Sequence, residues 1–293
     1  MIRTLFILNP NAGKMQAKHN LFKLIDLFTK NKYEVTVFPT QDRLDATNIV
    51  KEKANEYDLI VCSGGDGTLN EVISGLMHHT NRPKLGYIPT GTTNDLATSL
   101  NLPKTCIKAA KKIIAGSSYY YDIGSLNDSY FTYIAAFGAF TKVSYTTSQK
   151  FKNALGRISY FLEGIKHLTE IKTYPIKIEY DHGVIEDDFV FGAVTNSTSI
   201  AGLFHLNSHD VILNDGLFEV LLIKSPKNAI ELKNIIMGLL KQQYNDKYVT
   251  FFQASHLKIT SDSNIPWIID GENGGTQRDV TISNNHKGIE FIL

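Results

Sequence analysis

Along the first 125 or so residues, hydrophobic positions alternate between two rhythms. Thr4–Leu8, Glu34–Phe38, Leu59–Cys62 and Leu85–Ile88 are short apolar runs of the kind that form buried strands. Between the first two, Leu21, Leu24, Ile25 and Phe28 recur at i, i+3, i+4 and i+7, which is one face of a helix. The spacing predicts further helices over Leu44–Ala54, Leu69–Met77 and Ile107–Ala115. Strands alternating with helices predict a parallel, doubly wound α/β sheet. Such sheets bind ligands in the loops at the carboxyl ends of their strands.

After Ser125 the rhythm changes. Tyr130–Phe140, Pro175–Tyr180, Asp188–Val194, Leu217–Ile223, His256–Thr260, Pro266–Ile269, Val280–Ser283 and Ile289–Ile292 read as strands. Turn residues separate several of them: Asp181-His182-Gly183, Asn214-Asp215-Gly216 and Asn284-Asn285. Helices are expected only near Lys150–Leu168 and Asn228–Gln243. Many strands and few helices predict an antiparallel sandwich or barrel. The expected layout is therefore an α/β domain over residues 1–125 and a β-sandwich-rich domain over 126–293. The aromatic series Tyr130, Phe131, Tyr133, Phe137 and Phe140 is expected to fill the core of that second domain.

Composition narrows the classes of function. A chain of 293 residues suits two domains, and 43% hydrophobic with 20% charged residues is an ordinary globular mixture. A formal net charge of +1 supplies no global field for gripping nucleic acid, so attraction to a membrane would have to be local. One local source is the segment 142–166, where Lys142, Lys150, Lys152, Arg157 and Lys166 face a single acid, Glu163. The apolar stripe Phe151, Leu155, Ile158, Leu162 and Ile165 would pack inward, leaving these charges either solvated or turned to anionic head groups. Cys62 and Cys106 have neither metal-ligand spacing nor disulfide density and read as small buried hydrophobes. No apolar run reaches the ~18 residues of a spanning helix, and no cleavage pattern follows Met1–Asn9. The expected location is cytoplasmic.

Three motifs follow predicted strands. Asn9-Pro10-Asn11-Ala12-Gly13-Lys14 is a small turn whose free backbone N–H groups suit an anion, although an ordinary strand-to-helix turn looks the same. In Ser63-Gly64-Gly65-Asp66-Gly67-Thr68-Leu69-Asn70-Glu71, the glycines let backbone approach a ligand and the helix start favours negative charge. Asp66 would repel a phosphate unless a hard cation lies between them; it could also be a plain helix cap. Pro89-Thr90-Gly91-Thr92-Thr93-Asn94-Asp95-Leu96-Ala97 closes the next strand with hydroxyls, an amide and another carboxylate.

Together with the late Asp270-Gly271-Glu272, these motifs resemble the diacylglycerol kinase catalytic-domain superfamily, in particular its bacterial soluble lipid kinases. The resemblance covers nearly the whole chain. It implies an active site in the cleft between two domains, with ATP held by Asn9, Pro10, Asn11, Ala12, Gly13, Thr40, Gly64, Gly65, Asp66, Gly67, Thr68 and Thr92. It implies Asp66, Asp95 and Asp122 as carboxylates that organise catalytic Mg²⁺, and Glu272 as general base. The turn Ile212-Leu213-Asn214-Asp215-Gly216-Leu217 resembles a second, structural Mg²⁺ site, with Asp215 and carbonyls near Ile212 and Leu217 as ligands. By itself that turn is equally a hairpin of Asn-Asp-Gly type, and Asp122 alone would read as a solvated loop acid.

The implied activity is transfer of the γ-phosphate of ATP to a membrane-lipid hydroxyl, diacylglycerol first, by a protein peripheral to the inner face of the membrane. Oligomeric state is not encoded in the patterning, and a homodimer through the second domain is compatible with it. The alternative is a NAD kinase-like enzyme acting on a soluble dinucleotide, which shares the glycine loop. Gly91-Thr92-Thr93-Asn94-Asp95 and Asp270-Gly271-Glu272 stand against it. A binding module without turnover is disfavoured because every implied catalytic position holds a competent residue.

Overall fold

Alternate residues of strand β1 (Ile2–Leu8) are buried on opposite faces, and this decides the first layer of the structure. The computed structural model describes residues 1–13, 16–139, 172–197, 199–200, 204–205, 211–241 and 247–293. Phe6 and Leu8 join a core with Leu24 and Phe28 of α1 (Gln16–Lys30) and with Ala109, Ala110 and Ile113 of α5 (Cys106–Ala115). Leu5 and Ile7, also buried, point to the other face. Strands β2 (Tyr33–Pro39), β3 (Leu59–Gly64) and β4 (Lys84–Pro89) extend a parallel sheet in the order β4-β3-β1-β2. Helices α2 (Asp45–Lys53) and α3 (Asp66–Leu76) pack together: a methyl group on Gly75 would lie 2.7 Å from Val50 Cβ. A short helix, α4 (Asp95–Ser99), follows β4.

The chain divides into two compact units, Met1–Ile123 with His286–Leu293, and Gly124–Asn285. The sequence-based division gave everything after residue 125 to the second domain, and the last eight residues correct it. Strand β15 (Glu272–Ile292) is long, and its end pairs parallel to β4, with Phe291 opposite Leu85 and Ile292 opposite Gly86. Apolar burial draws it there. Ile292 lies in the core of the first unit, and the fully buried Phe291 meets Tyr121 edge-on at 5.9 Å. Tyr121 belongs to β5 (Ser118–Leu126), a strand the patterning did not predict.

The second unit is hydrogen-bonded almost entirely by antiparallel pairs. Strand β12 (Phe218–Lys224) lies between β13 (Val249–Ala254) and β9 (Gly183–Thr195). Strand β9 pairs in turn with β7 (Ile134–Gly138) and β8 (Tyr174–Tyr180). The same two strands pair with β14 (His256–Ile269), which also pairs with β15. A short β6 (Ser129–Phe131) pairs with β5, and β10 (Ser199–Ile200) with β11 (Phe204–His205). One helix, α6 (Ala229–Lys241), lies where the patterning predicts it. The predicted helix over Lys150–Leu168, the basic segment 142–166, Phe140 and Lys14 fall outside the described residues. Among the described residues no helix is long and apolar enough to cross a membrane.

Aromatic rings carry the core of this unit. Phe131, Phe137, Tyr174, Phe189, Phe218 and Trp267 are buried in one cluster. Phe137 meets Tyr174 edge-on at 6.0 Å and Trp267 at 5.1 Å. The missing side chain of Gly192 makes room for it, since a Cβ there would lie 2.2 Å from the Phe137 ring. Phe137→Ala is expected to destabilise the protein by about 3–5 kcal/mol, the usual range for a buried aromatic truncated to Ala. A drop in the urea midpoint checks it, and an unchanged midpoint would show that Phe137 does not anchor this core.

Candidate active site

The loops leaving β1, β3 and β4 lie side by side at the carboxyl edge of the first unit's sheet. Backbone bonds set their spacing. Asn9 N–H donates to Ser63 O at 2.9 Å, Thr90 N–H to Gly64 O at 2.8 Å, and Thr40 N–H to Leu8 O at 2.9 Å. Glycine permits the final approach. A methyl group on Gly91 would come within 2.5 Å of Gly65 Cα and 2.7 Å of Asn94 Oδ1. One on Gly13, which has φ +55°, would meet Thr90 O at 2.1 Å. Asn9 Nδ2 donates to Thr68 Oγ1 at 2.9 Å, and Asn9 Oδ1 accepts from Asn11 N–H at 3.0 Å. The positions implied for nucleotide contact, Asn9 to Gly13, Thr40, Gly64 to Thr68 and Thr92, thus share one sheet edge. A Cβ on Gly67 would meet nothing within 4 Å, and Thr92 is exposed.

The second and third motifs are joined by Asp66. It begins α3, and its carboxylate faces the backbone N–H groups of Asn94, Asp95 and Leu96 at the start of α4. Burial pushes its pKa above the usual carboxylate range, and these N–H dipoles pull against that. Its Oδ1 is enclosed without a hydrogen-bond partner among the described residues. Asn94 holds the turn that presents these N–H groups. It is left-handed, with φ 53°. Its Oδ1 accepts from Gly91 N–H at 2.9 Å and from the Tyr87 hydroxyl at 3.3 Å, while its Nδ2 donates to Gly91 O at 2.9 Å.

Asp122 is placed differently. It is fully buried in β5, where its Oδ1 accepts from Lys287 N–H at 2.6 Å and lies 3.1 Å from His286 Nδ1. This geometry anchors the returning strand β15.

In the second unit, Glu272 opens β15 opposite Ile269 and is exposed. Asp270 and Gly271 form the two-residue turn before it, with φ 49° and 83°. The Asp270 carboxylate accepts bonds from Thr132, Tyr133 and Ile134. The sequence gave no sign of this. The turn after residue 211 carries Ile212, Asp215 and Leu217, with Asp215 Oδ1 accepting from Leu217 N–H at 3.0 Å and Gly216 at φ 85°. Asn196 Nδ2 supports it by donating to Leu213 O at 3.2 Å. Glu219, also not anticipated, is 1% exposed. Its Oε1 accepts from Gln253 at 3.3 Å, and its Oε2 has no partner among the described residues. Burial, with the Asp215 charge adding to it, raises the Glu219 pKa to about 7.

Among the described residues no three His, Cys, Asp or Glu side chains form a ready-made metal cluster. A cation at either place would share its shell with carbonyl, water or phosphate oxygens, as Mg²⁺ commonly does. The enclosed Oδ1 of Asp66 and the unpartnered Oε2 of Glu219 beside the Asp215 charge both suit a nearby cation.

Comparison with known proteins agrees with this architecture. Residues 3–126 match the family model described as the diacylglycerol kinase catalytic domain. The chain is 36% identical over 277 residues to a diacylglycerol kinase of Bacillus subtilis (strain 168), covering 94% of this chain and 91% of that protein. It is 36% identical over 276 residues to a diacylglycerol kinase of Staphylococcus carnosus (strain TM300), covering 93% and 89%. The crystal structure of a diacylglycerol kinase from Bacillus anthracis str. Sterne matches with a TM-score of 0.76 at 26% identity, over 99% of this chain and 96% of that one. The chain belongs to the diacylglycerol kinase family.

Asn94→Ala removes three hydrogen bonds and the side chain that best tolerates a left-handed backbone here. The expected cost is about 1–3 kcal/mol in stability. Faster amide exchange at residues 91–96 should accompany it. Wild-type exchange there would show that Asn94 does not hold the turn.

Proposed function

We propose that this protein is an ATP- and Mg²⁺-dependent lipid kinase that phosphorylates a lipid hydroxyl, most readily that of diacylglycerol, giving phosphatidic acid. The observation that carries the reading is Asp66: a carboxylate set among glycine loops, one oxygen enclosed and unpartnered among the described residues, facing the N–H groups at the start of α4. An acid in an anion-binding loop is favourable when a cation joins it to phosphate. Asp66 and Asp95 would hold Mg²⁺, partly through water, with Asp122 in a supporting place. When bound, the ion neutralises charge on the β- and γ-phosphate oxygens.

The residues of the chain divide the remaining work. The 9–13 and 64–68 loops bind and orient the triphosphate, with the backbone N–H groups at the start of α3 as donors. Glu272 accepts the proton of the lipid hydroxyl as its oxygen bonds to the γ-phosphorus, and the bond from phosphorus to the bridging oxygen of ADP breaks. Phosphoryl transfer has a loose transition state, so Glu272 orients the hydroxyl as much as it activates it. Ile212, Asp215 and Leu217 would hold a second cation with a structural role. A cytoplasmic protein peripheral to the inner face of the membrane is the setting we propose, and a homodimer is compatible with it. Identity to diacylglycerol kinases across more than nine-tenths of the chain disfavours a soluble dinucleotide acceptor.

Glu272→Gln keeps the side chain's shape and removes its basicity. Turnover should fall by about 10²-fold or more, with little change in KM for ATP. ADP release with Mg-ATP and diacylglycerol micelles, the product identified by mass, tests both claims. Wild-type kcat would exclude Glu272 as base, and absence of a phosphorylated lipid from the wild-type protein would overturn the activity.

Asp215→Ala separates the second cation from the first. Anything that binds the folded state raises its melting temperature by mass action. The wild-type protein should gain thermal stability with Mg²⁺ beyond that of the variant. Equal Mg²⁺ responses would leave this turn a hairpin alone.

A further inference from the structure

We infer that Asp270 is the positioning residue of Glu272, locking the hairpin tip that carries the base against residues 132–134. The inference rests on reading Glu272 as the base. A two-residue Asp-Gly turn forms without help from its side chain, because both residues accept the positive φ it demands. Such a tip is ordinarily among the freest parts of a sheet. Here it is fastened. Asp270 Oδ2 accepts from Thr132 N–H at 2.7 Å and Thr132 Oγ1 at 2.8 Å. Its Oδ1 accepts from Tyr133 N–H and Ile134 N–H, each at 3.0 Å. Its own N–H donates to Ile134 O at 2.9 Å.

These contacts define what Asp270 can and cannot do. Two donors on each oxygen nearly fill the acceptor capacity of a carboxylate. Burial pushes the Asp270 pKa up, and the bonds from Thr132, Tyr133 and Ile134 pull against it. Little of the carboxylate remains for proton transfer, so the chemistry falls to Glu272, two residues on. The anchor is itself rigid. Tyr133 O accepts from Thr195 Oγ1 at 2.6 Å and from Asn196 N–H at 3.0 Å, and both of those residues are fully buried. Glu272 pairs with Ile269 immediately across the turn, so its backbone follows wherever Asp270 is held. No other side chain fits as well. Asn would set an amide N–H against one pair of donors, and Glu would overreach by a methylene.

The test uses Thr132→Val, Thr132→Ser and Asp270→Asn, each made alone and in a Glu272→Gln background. ADP release is measured with Mg-ATP and diacylglycerol micelles, below the melting onset of every variant. Thr132→Val should lower kcat by about 10-fold and Asp270→Asn by about 100-fold, with KM for ATP nearly unchanged. Thr132→Ser, which retains the hydroxyl, should restore the rate. In the Glu272→Gln background neither change should lower the residual rate further, because the base through which Asp270 acts is already gone. If Asp270→Asn does not fold, Thr132→Val carries the same comparison. Wild-type kcat in both variants beside an inactive Glu272→Gln would overturn the positioning role and leave the base in place. So would equal losses in the two backgrounds, which mark a general structural defect. Wild-type turnover in Glu272→Gln would remove the base and the positioning role together.

Discussion

The first unit is organised by one close approach, that of the loops after β3 and β4 at Gly65 and Gly91. A single Cβ on Gly91 would fall inside the van der Waals envelope of the opposite backbone. Because the loops touch main chain to main chain, the N–H groups at the start of α4 come within reach of Asp66. The neighbouring contact between Gly13 and Thr90 O draws in the loop after β1. A contact made of backbone cannot be adjusted by rotamers. Its geometry depends on how closely the loops can approach, and glycine sets that distance.

Carboxylates elsewhere differ in how many donors are aimed at each. Asp181 accepts from Ser255 N–H at 2.6 Å, Ser255 Oγ at 2.9 Å and His256 N–H at 3.4 Å, tying the β8–β9 turn to the start of β14. Asp122 does the same for residues 286–287 of β15, and Asp270 for residues 132–134. Glu272 is exposed, and Asp66 keeps one oxygen without a partner among the described residues. A carboxylate surrounded by N–H donors is held in one place. One left partly unsatisfied can still take up a proton or a cation.

The parallel strands of the first unit were legible because a strand buried on both faces leaves a continuous apolar run, as Leu59–Cys62 does. The glycine loops were legible because so few functions call for three glycines around an aspartate. Strand β5 was hidden: Tyr119-Tyr120-Tyr121 looks like a loop until Phe291 arrives to cover Tyr121. Strand β14 reads as two strands because Ser261-Asp262-Ser263-Asn264 is polar, yet pairing resumes at Ile265 after a register shift. The run Tyr130–Phe140 reads as one strand but breaks at Thr132 and Tyr133, whose N–H groups turn to Asp270. That break, like the burial of Glu219, arises from a partner far away in the chain, where local patterning carries no signal.

The return of β15 to the first unit sets an order of assembly. Residues 286–293 leave the ribosome after the whole of the second unit, yet Ile292 belongs to the core that Phe6, Phe28 and Ile113 began. Until then the edge of β4 lacks its parallel neighbour, and Asp122 lacks the stretch of β15 that binds its carboxylate. The unit that starts first is therefore completed last. Its nascent form carries an open strand edge throughout synthesis of the β-rich half, a period in which such an edge is exposed to pairing with other chains.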